Sequence, residues 1–127
     1  MIAVDSSALI AILKGESMAE ACARALSAET EMIISAVTLT EALMVSRSRS
    51  VEGELIELLS RLPIEIVPVD EEAPWRINEI HRRWGKGRHP AQLNIVDCFS
   101  YDAARQFNCP LLFIGNDFSH TDIVSAL

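Results

Sequence analysis

A chain of 127 residues, half of them apolar and 23% charged, has the size and composition of one folded domain, here 1–127, rather than a disordered or multidomain protein. The formal charge of −7 argues against a general nucleic-acid coat, because nonspecific affinity for phosphate needs clustered Lys and Arg. The opening MIAVDSS has no cationic leader and no apolar run is long enough for a bilayer, so a cytoplasmic protein with no membrane anchor is expected.

In chain order, Ile2 to Val4 reads as a first strand and Ala8 to Lys14 as a helix ended by Gly15. Ser17 to Ala28 follows as a second helix, and Met32 to Ile34 as a second strand. Ser35 then caps a helix to about Ser48, and Val51 to Leu62 forms another that Pro63 stops. Glu65 to Val67 reads as the third strand. A longer amphipathic helix starts at Glu71, carries Trp75, Ile77, Ile80 and Trp84, and breaks at Gly85-Lys86-Gly87. A loop ends near Asn94, the helix Ile95 to Phe107 follows, and the last strand, Leu111 to Ile114, runs into the turn Gly115-Asn116-Asp117.

All four strand segments are continuous apolar runs, the pattern of strands covered on both faces. Strands alternating with helices of this length imply an α/β class: a mainly parallel sheet with helices on both faces, in three layers. In such sheets ligands bind beyond the carboxyl ends of the strands.

Four acids fall at that edge. Asp5 follows the first strand and Asp117 the last, while Glu41 and Asp97 lie early in helices that return across the sheet. Each has a structural explanation of its own. Asp5 suits an N-cap, Thr38-x-x-Glu41 has the form of a capping box, Asn94 caps with Asp97 three residues on, and Asn116-Asp117 is ordinary turn chemistry. Their convergence is harder to explain, because four carboxylates repel unless cations neutralise them. An all-oxygen set with no Cys or His cluster suits Mg²⁺, with Mn²⁺ as substitute, and such a site can activate water for phosphodiester hydrolysis.

The basic residues are uneven. Arg76, Arg82, Arg83, Lys86 and Arg88, five of the eleven, lie between positions 76 and 89 with His81 and His89. A solvated helix face and an RNA-backbone contact, through Arg82, Arg83, Lys86 and Arg88, both fit this pattern. Cys22, Cys98 and Cys109 lack C-x-x-C spacing and read as reduced core thiols. Trp75 and Trp84 are accounted for as packing residues by helical periodicity, and Asp102 is expected on a solvated face. Aspartyl-phosphate chemistry finds little support: Ser7 stands where a haloacid-type phosphatase needs a second Asp, and Gly115-Asn116 offers no receiver-type Lys.

VDSSAL at 4–9, TLTEAL at 38–43, GKGRHPAQLNIVDCFSYDAA at 85–104 and LLFIGNDFSHTDI at 111–123 together resemble the PIN domain, specifically VapC-type ribonuclease toxins, across essentially the whole chain. The resemblance implies a PIN-like fold and a Mg²⁺-dependent endoribonuclease cutting structured RNA such as tRNA or rRNA. It also implies a VapB-like antitoxin as partner and a homodimer. Carried over position by position, Asp5 and Asp97 would ligate the metal, Glu41 would bind it directly or through water, and Asp117 would complete the set. Asp122 would support a second metal, and Ser7 and Asn116 would orient the carboxylates. The alternative reading is a non-catalytic module whose acidic pocket captures a basic partner peptide.

Overall fold

The computed structural model describes residues 1–127 and has the alternating order that the apolar runs imply. The elements are β1 (Ile2–Val4), α1 (Ser6–Lys14), α2 (Ala19–Ser27), β2 (Met32–Ser35), α3 (Ala36–Ser48) and α4 (Glu52–Arg61). They continue with β3 (Ile64–Val67), α5 (Ala73–Trp84), α6 (Ile95–Gln106), β4 (Leu111–Leu112) and a 3₁₀ turn, Phe118–His120. The four strands form one parallel sheet in the order β3-β2-β1-β4, so every strand points its carboxyl end at the same edge.

Successive strand side chains point to opposite faces, and this divides the interior in two. Ile2, Val4, Met32, Ile34 and Leu112 pack with Leu9, Cys22, Leu26, Ala42 and Leu55 from α1 to α4. Ala3, Ile33, Leu111 and Phe113 pack on the other side with Ile77, Trp84, Cys98, Tyr101 and Ala104 from α5 and α6. These are the three layers expected. No helix is long and apolar enough to cross a membrane.

Several boundaries follow from caps. Asp5 accepts the Ser7 N–H and starts α1 two residues earlier than the apolar pattern suggests, and Gly15, left-handed at φ 63°, ends it. Ser35 caps α3 through the Val37 N–H, and Asn94 and Asp97 form a full capping box on α6. The Thr38-x-x-Glu41 pattern is no capping box, because Thr38 lies inside α3 and is fully buried.

Three expectations are corrected. β3 is not covered on both faces: it is one of the two edge strands, with Glu65 and Ile66 exposed. Trp75 is 71% exposed rather than packed, whereas Trp84 is buried and donates its indole N–H to the Tyr101 hydroxyl at 3.1 Å. Asp102 is buried rather than solvated. It takes a two-pronged bond from Arg76, at 2.9 and 3.2 Å, and a third from the Gln106 amide, joining α5 to α6.

Candidate active site

Asp5 sits just beyond β1 and is buried. One of its oxygens accepts the Ser7 hydroxyl at 2.6 Å and the Ser7 N–H at 3.1 Å, and the other accepts the Ser100 hydroxyl at 2.6 Å. Ser7 in turn accepts the Ile114 N–H at 3.0 Å, which ties the end of β4 to the start of α1. Ser100 is paired with the buried Thr38 hydroxyl at 2.9 Å, which links α6 to α3. Glu41, one turn into α3, accepts the Ser6 hydroxyl at 2.6 Å. Asp97, in the first turn of α6, accepts the Asn94 N–H at 3.0 Å.

Three hydroxyls and two backbone N–H groups therefore aim Asp5, Glu41 and Asp97. None of these bonds uses all the acceptor capacity of the acid concerned. Asp5 Oδ1 keeps a lone pair, and one carboxylate oxygen of Glu41 and one of Asp97 accept no protein donor. Asp117, exposed at the start of the 3₁₀ turn, makes no side-chain cap bond.

The four acids share one field. Burial first, and then the charges of Asp5, Asp117 and Glu41, together push the Asp97 carboxyl up to about 6 against the relief of the Asn94 N–H. As they stand, no three His, Cys, Asp or Glu side chains close on a single point. The donor set fits a hard divalent cation: it is all oxygen, each acid has a free acceptor, and the positive charge would relieve the repulsion felt at Asp97.

Asp122 does not join the cluster. It accepts the Tyr101 hydroxyl at 2.6 Å and lies 3.7 Å from the Arg83 guanidinium, on the flank of α6 beside Arg105, Asn108 and Cys109. The structure therefore does not bring Asp122 together with Asp5, Glu41, Asp97 and Asp117, and a second-metal role for it rests on the family resemblance alone. Asn116 lines the acidic pocket, but its side chain bonds no carboxylate; its backbone carbonyl accepts from Ser119. Ser7 does hold a carboxylate.

The basic stretch divides. Arg76 is committed to Asp102 and Asp70, Arg82 pairs with Glu79 at 3.3 Å, and Arg83 lies over the Trp84 ring at 4.4 Å as well as near Asp122. Lys86 lines the pocket that contains Asp97 and Asp117, and Arg88 is exposed on the same loop. Neither has an ion-pair partner within the chain. His89 is occupied, accepting the Ala91 N–H and packing its edge on Trp84. The three cysteines are free, and burial pushes the Cys98 thiol up to about 11, which leaves it inert.

Sequence reasoning passed over Ser6 and Ser100 and gave Thr38 only a capping role. The available signal was polarity inside apolar helix faces: Thr38 and Ser100 are small hydroxyl residues among buried neighbours, and Ser100 lies one turn beyond Asp97.

The family profile of the PIN domain matches residues 2–124, a span that contains all four acids and both hydroxyl linkages. The chain belongs to the PIN-domain family. Within it, this PIN domain is of the VapC ribonuclease type. Ribonuclease VapC30 of Mycobacterium tuberculosis is 38% identical over 125 residues, covering 96% of this chain and 95% of its own. Ribonuclease VapC of Mycolicibacterium smegmatis is 38% identical over 125 residues, covering 96% and 97%. The fold is shared with the crystal structure of Mycobacterium tuberculosis VapC20, a Sarcin-Ricin loop cleaving toxin, at TM-score 0.78 and 18% identity over 98% of this chain and 97% of that one. A toxin–antitoxin complex from Klebsiella pneumoniae aligns at TM-score 0.76 and 18% identity, over 100% and 98%.

Proposed function

We propose that this chain is a single-domain, Mg²⁺-dependent endoribonuclease toxin that acts in the cytoplasm on structured RNA such as tRNA or rRNA. In this reading a VapB-like antitoxin restrains it and it works as a homodimer. The observation that carries the reading is the convergence of Asp5, Glu41, Asp97 and Asp117 on one sheet edge, with Asp97 pushed up to about 6 by burial and by the other three. A structural role would need no such concentration of like charge.

Asp5 and Asp97 would hold the cation, with Glu41 and Asp117 beside it. A bound divalent cation supplies Lewis-acid activation of water and neutralises charge building on the phosphoryl oxygens. The rest belongs to the chain. Ser7 and Ser100 fix the plane of the Asp5 carboxylate, Ser6 fixes Glu41, and the Asn94 N–H fixes Asp97, so the free oxygens need little reorganisation before substrate arrives. Lys86, at the pocket wall, places one positive charge for a substrate phosphate beside the carboxylates of Asp97 and Asp117.

Relatives named as VapC ribonucleases, together with the toxin–antitoxin complex that shares the fold, support the toxin assignment and an antitoxin partner. The deciding experiment incubates purified protein with total cellular RNA, with Mg²⁺ or EDTA, beside an Asp97→Asn variant, and maps new ends by sequencing. Discrete Mg²⁺-dependent cuts that vanish in the variant are expected. If the folded protein binds metal and leaves every RNA intact, the acidic pocket is instead a capture site for a basic peptide.

A further inference from the structure

Beside the acids lies a second feature that metal ligation does not use. A polar cavity of about 390 Å³ opens next to Asp97 and Asp117, and only one of its nine lining residues is hydrophobic. Its remaining wall includes Lys86, Pro90, Gln92, Asn116 and His120. The volume falls in the range of roughly 300–1,000 Å³ typical of small-ligand sites. The cavity is continuous with the acid cluster through Asp97 and Asp117, so whatever fills it lies against the reacting centre.

One wall is built rigidly. The loop from Gly85 to Leu93 is clamped at its base: the Lys86 N–H donates to the Leu93 carbonyl at 3.0 Å, and the Leu93 N–H donates to the Trp84 carbonyl at 3.1 Å. His89 Nδ1 accepts the Ala91 N–H, and the His89 carbonyl accepts the Gln92 N–H at 3.0 Å. Gln92 itself is held left-handed at φ 53°, a conformation unusual for a residue that is neither Gly nor Asn. The clamped loop thus fixes where the Gln92 amide leaves the backbone.

We infer that this cavity binds the base and ribose of one unpaired nucleotide flanking the scissile phosphate, so that it selects the cleavage position. The inference rests on the nuclease reading above. The lining matches that ligand chemically. Gln92 and Asn116 each offer an amide donor and acceptor, the pair with which proteins read a base edge. His120 supplies an exposed flat ring on which an unstacked base can lie. Lys86 supplies the charge for the adjoining phosphate. A duplex offers no splayed base, which leaves a single-stranded loop or bulge as the substrate element.

The test uses Gln92→Gly, which removes the amide while keeping a residue at home in the left-handed region, and His120→Ala. Wild-type and variant proteins are given an oligoribonucleotide pool randomised around the cut, and the ends are sequenced. Wild type should prefer certain bases at one position beside the cut. Gln92→Gly should flatten that preference by about tenfold, and the stabilisation by Mg²⁺ in a thermal melt should stay unchanged. An unchanged preference in both variants, or no preference in wild type, overturns the inference.

Should wild type cut no RNA at all, the nuclease reading fails separately, and the cavity is then tested by binding. Asp5→Asn, which lies outside the cavity, is titrated with fluorescent tetraribonucleotides by anisotropy. A loss of about tenfold on adding Gln92→Gly supports the nucleotide site, and equal affinity with or without Gln92 removes it.

Discussion

Asp5 is buried, and a buried carboxyl needs donors on its oxygens. Ser100 provides one of them from 95 positions away and is itself paired with Thr38, so Ser100→Ala would leave two buried groups short of a partner. A stability loss of about 1–3 kcal/mol is expected, with Mg²⁺ affinity lowered by roughly 10–100-fold. Ser100→Thr, which keeps the hydroxyl, should restore both. Calorimetric Mg²⁺ titration and thermal melts check the pair of effects. Asp97 makes a prediction of opposite sign. Its carboxyl keeps a proton to about 6 in the folded chain against 3.8 ordinarily, so the folded state binds more protons across that window. Stability in EDTA therefore falls as pH rises from about 4 to about 6 and levels off above. Asp97→Asn keeps an oxygen for the Asn94 N–H and removes the charge. It should be more stable than wild type above pH 6 by an amount on the order of 1–3 kcal/mol, by denaturant titration in EDTA.

At the scale of elements, α5 and α6 are joined by a polar fastening as well as by apolar packing. Arg76 reaches Asp102 with two bonds and Asp70 with a third, and its guanidinium is held charged by the hydrogen bond to Asp102. Arg76→Ala strands Asp102, which is 6% exposed, and should cost about 2–3 kcal/mol in urea unfolding. Because α6 carries both Asp97 and Ser100, activity should fall further than the stability loss alone explains. The turn out of α5 is equally constrained. A Cβ on Gly85 would lie 2.4 Å from the His81 carbonyl oxygen, so Gly85→Ala must displace the loop that carries Lys86 and Gln92.

At the scale of the molecule, a cation that binds the folded chain and not the unfolded one raises the melting temperature by mass action. At Mg²⁺ one hundred times its dissociation constant the gain is about 2.7 kcal/mol. Because ligation needs an ionised Asp97, Mg²⁺ affinity should rise with pH up to about 6 and then flatten, with proton release detectable in unbuffered titration below that point. The same titration of Asp97→Asn should show no such pH dependence.

Local pattern was enough to read the strands, the helices, the parallel sheet and the placing of Asp5, Glu41, Asp97 and Asp117 at strand ends and helix starts. The caps at Ser35 and Asn94 and the Gly15 stop were also legible, because each depends on residues within a turn of itself. What the sequence could not decide was which residues meet across the fold. Of the two edge strands in the order β3-β2-β1-β4, β4 is buried and β3 is exposed, a difference that an apolar run does not reveal. Asp102 and Asp122 differ from Asp97 in their partners: Arg76 holds one, and Tyr101 and Arg83 hold the other. The hydroxyls that aim the acids act across 35, 62, 95 and 107 positions of chain. Periodicity records only what a residue's own element demands of it. Which donor stands opposite a carboxylate is set by the packing of α3, α6 and the sheet, and only the tertiary structure contains it.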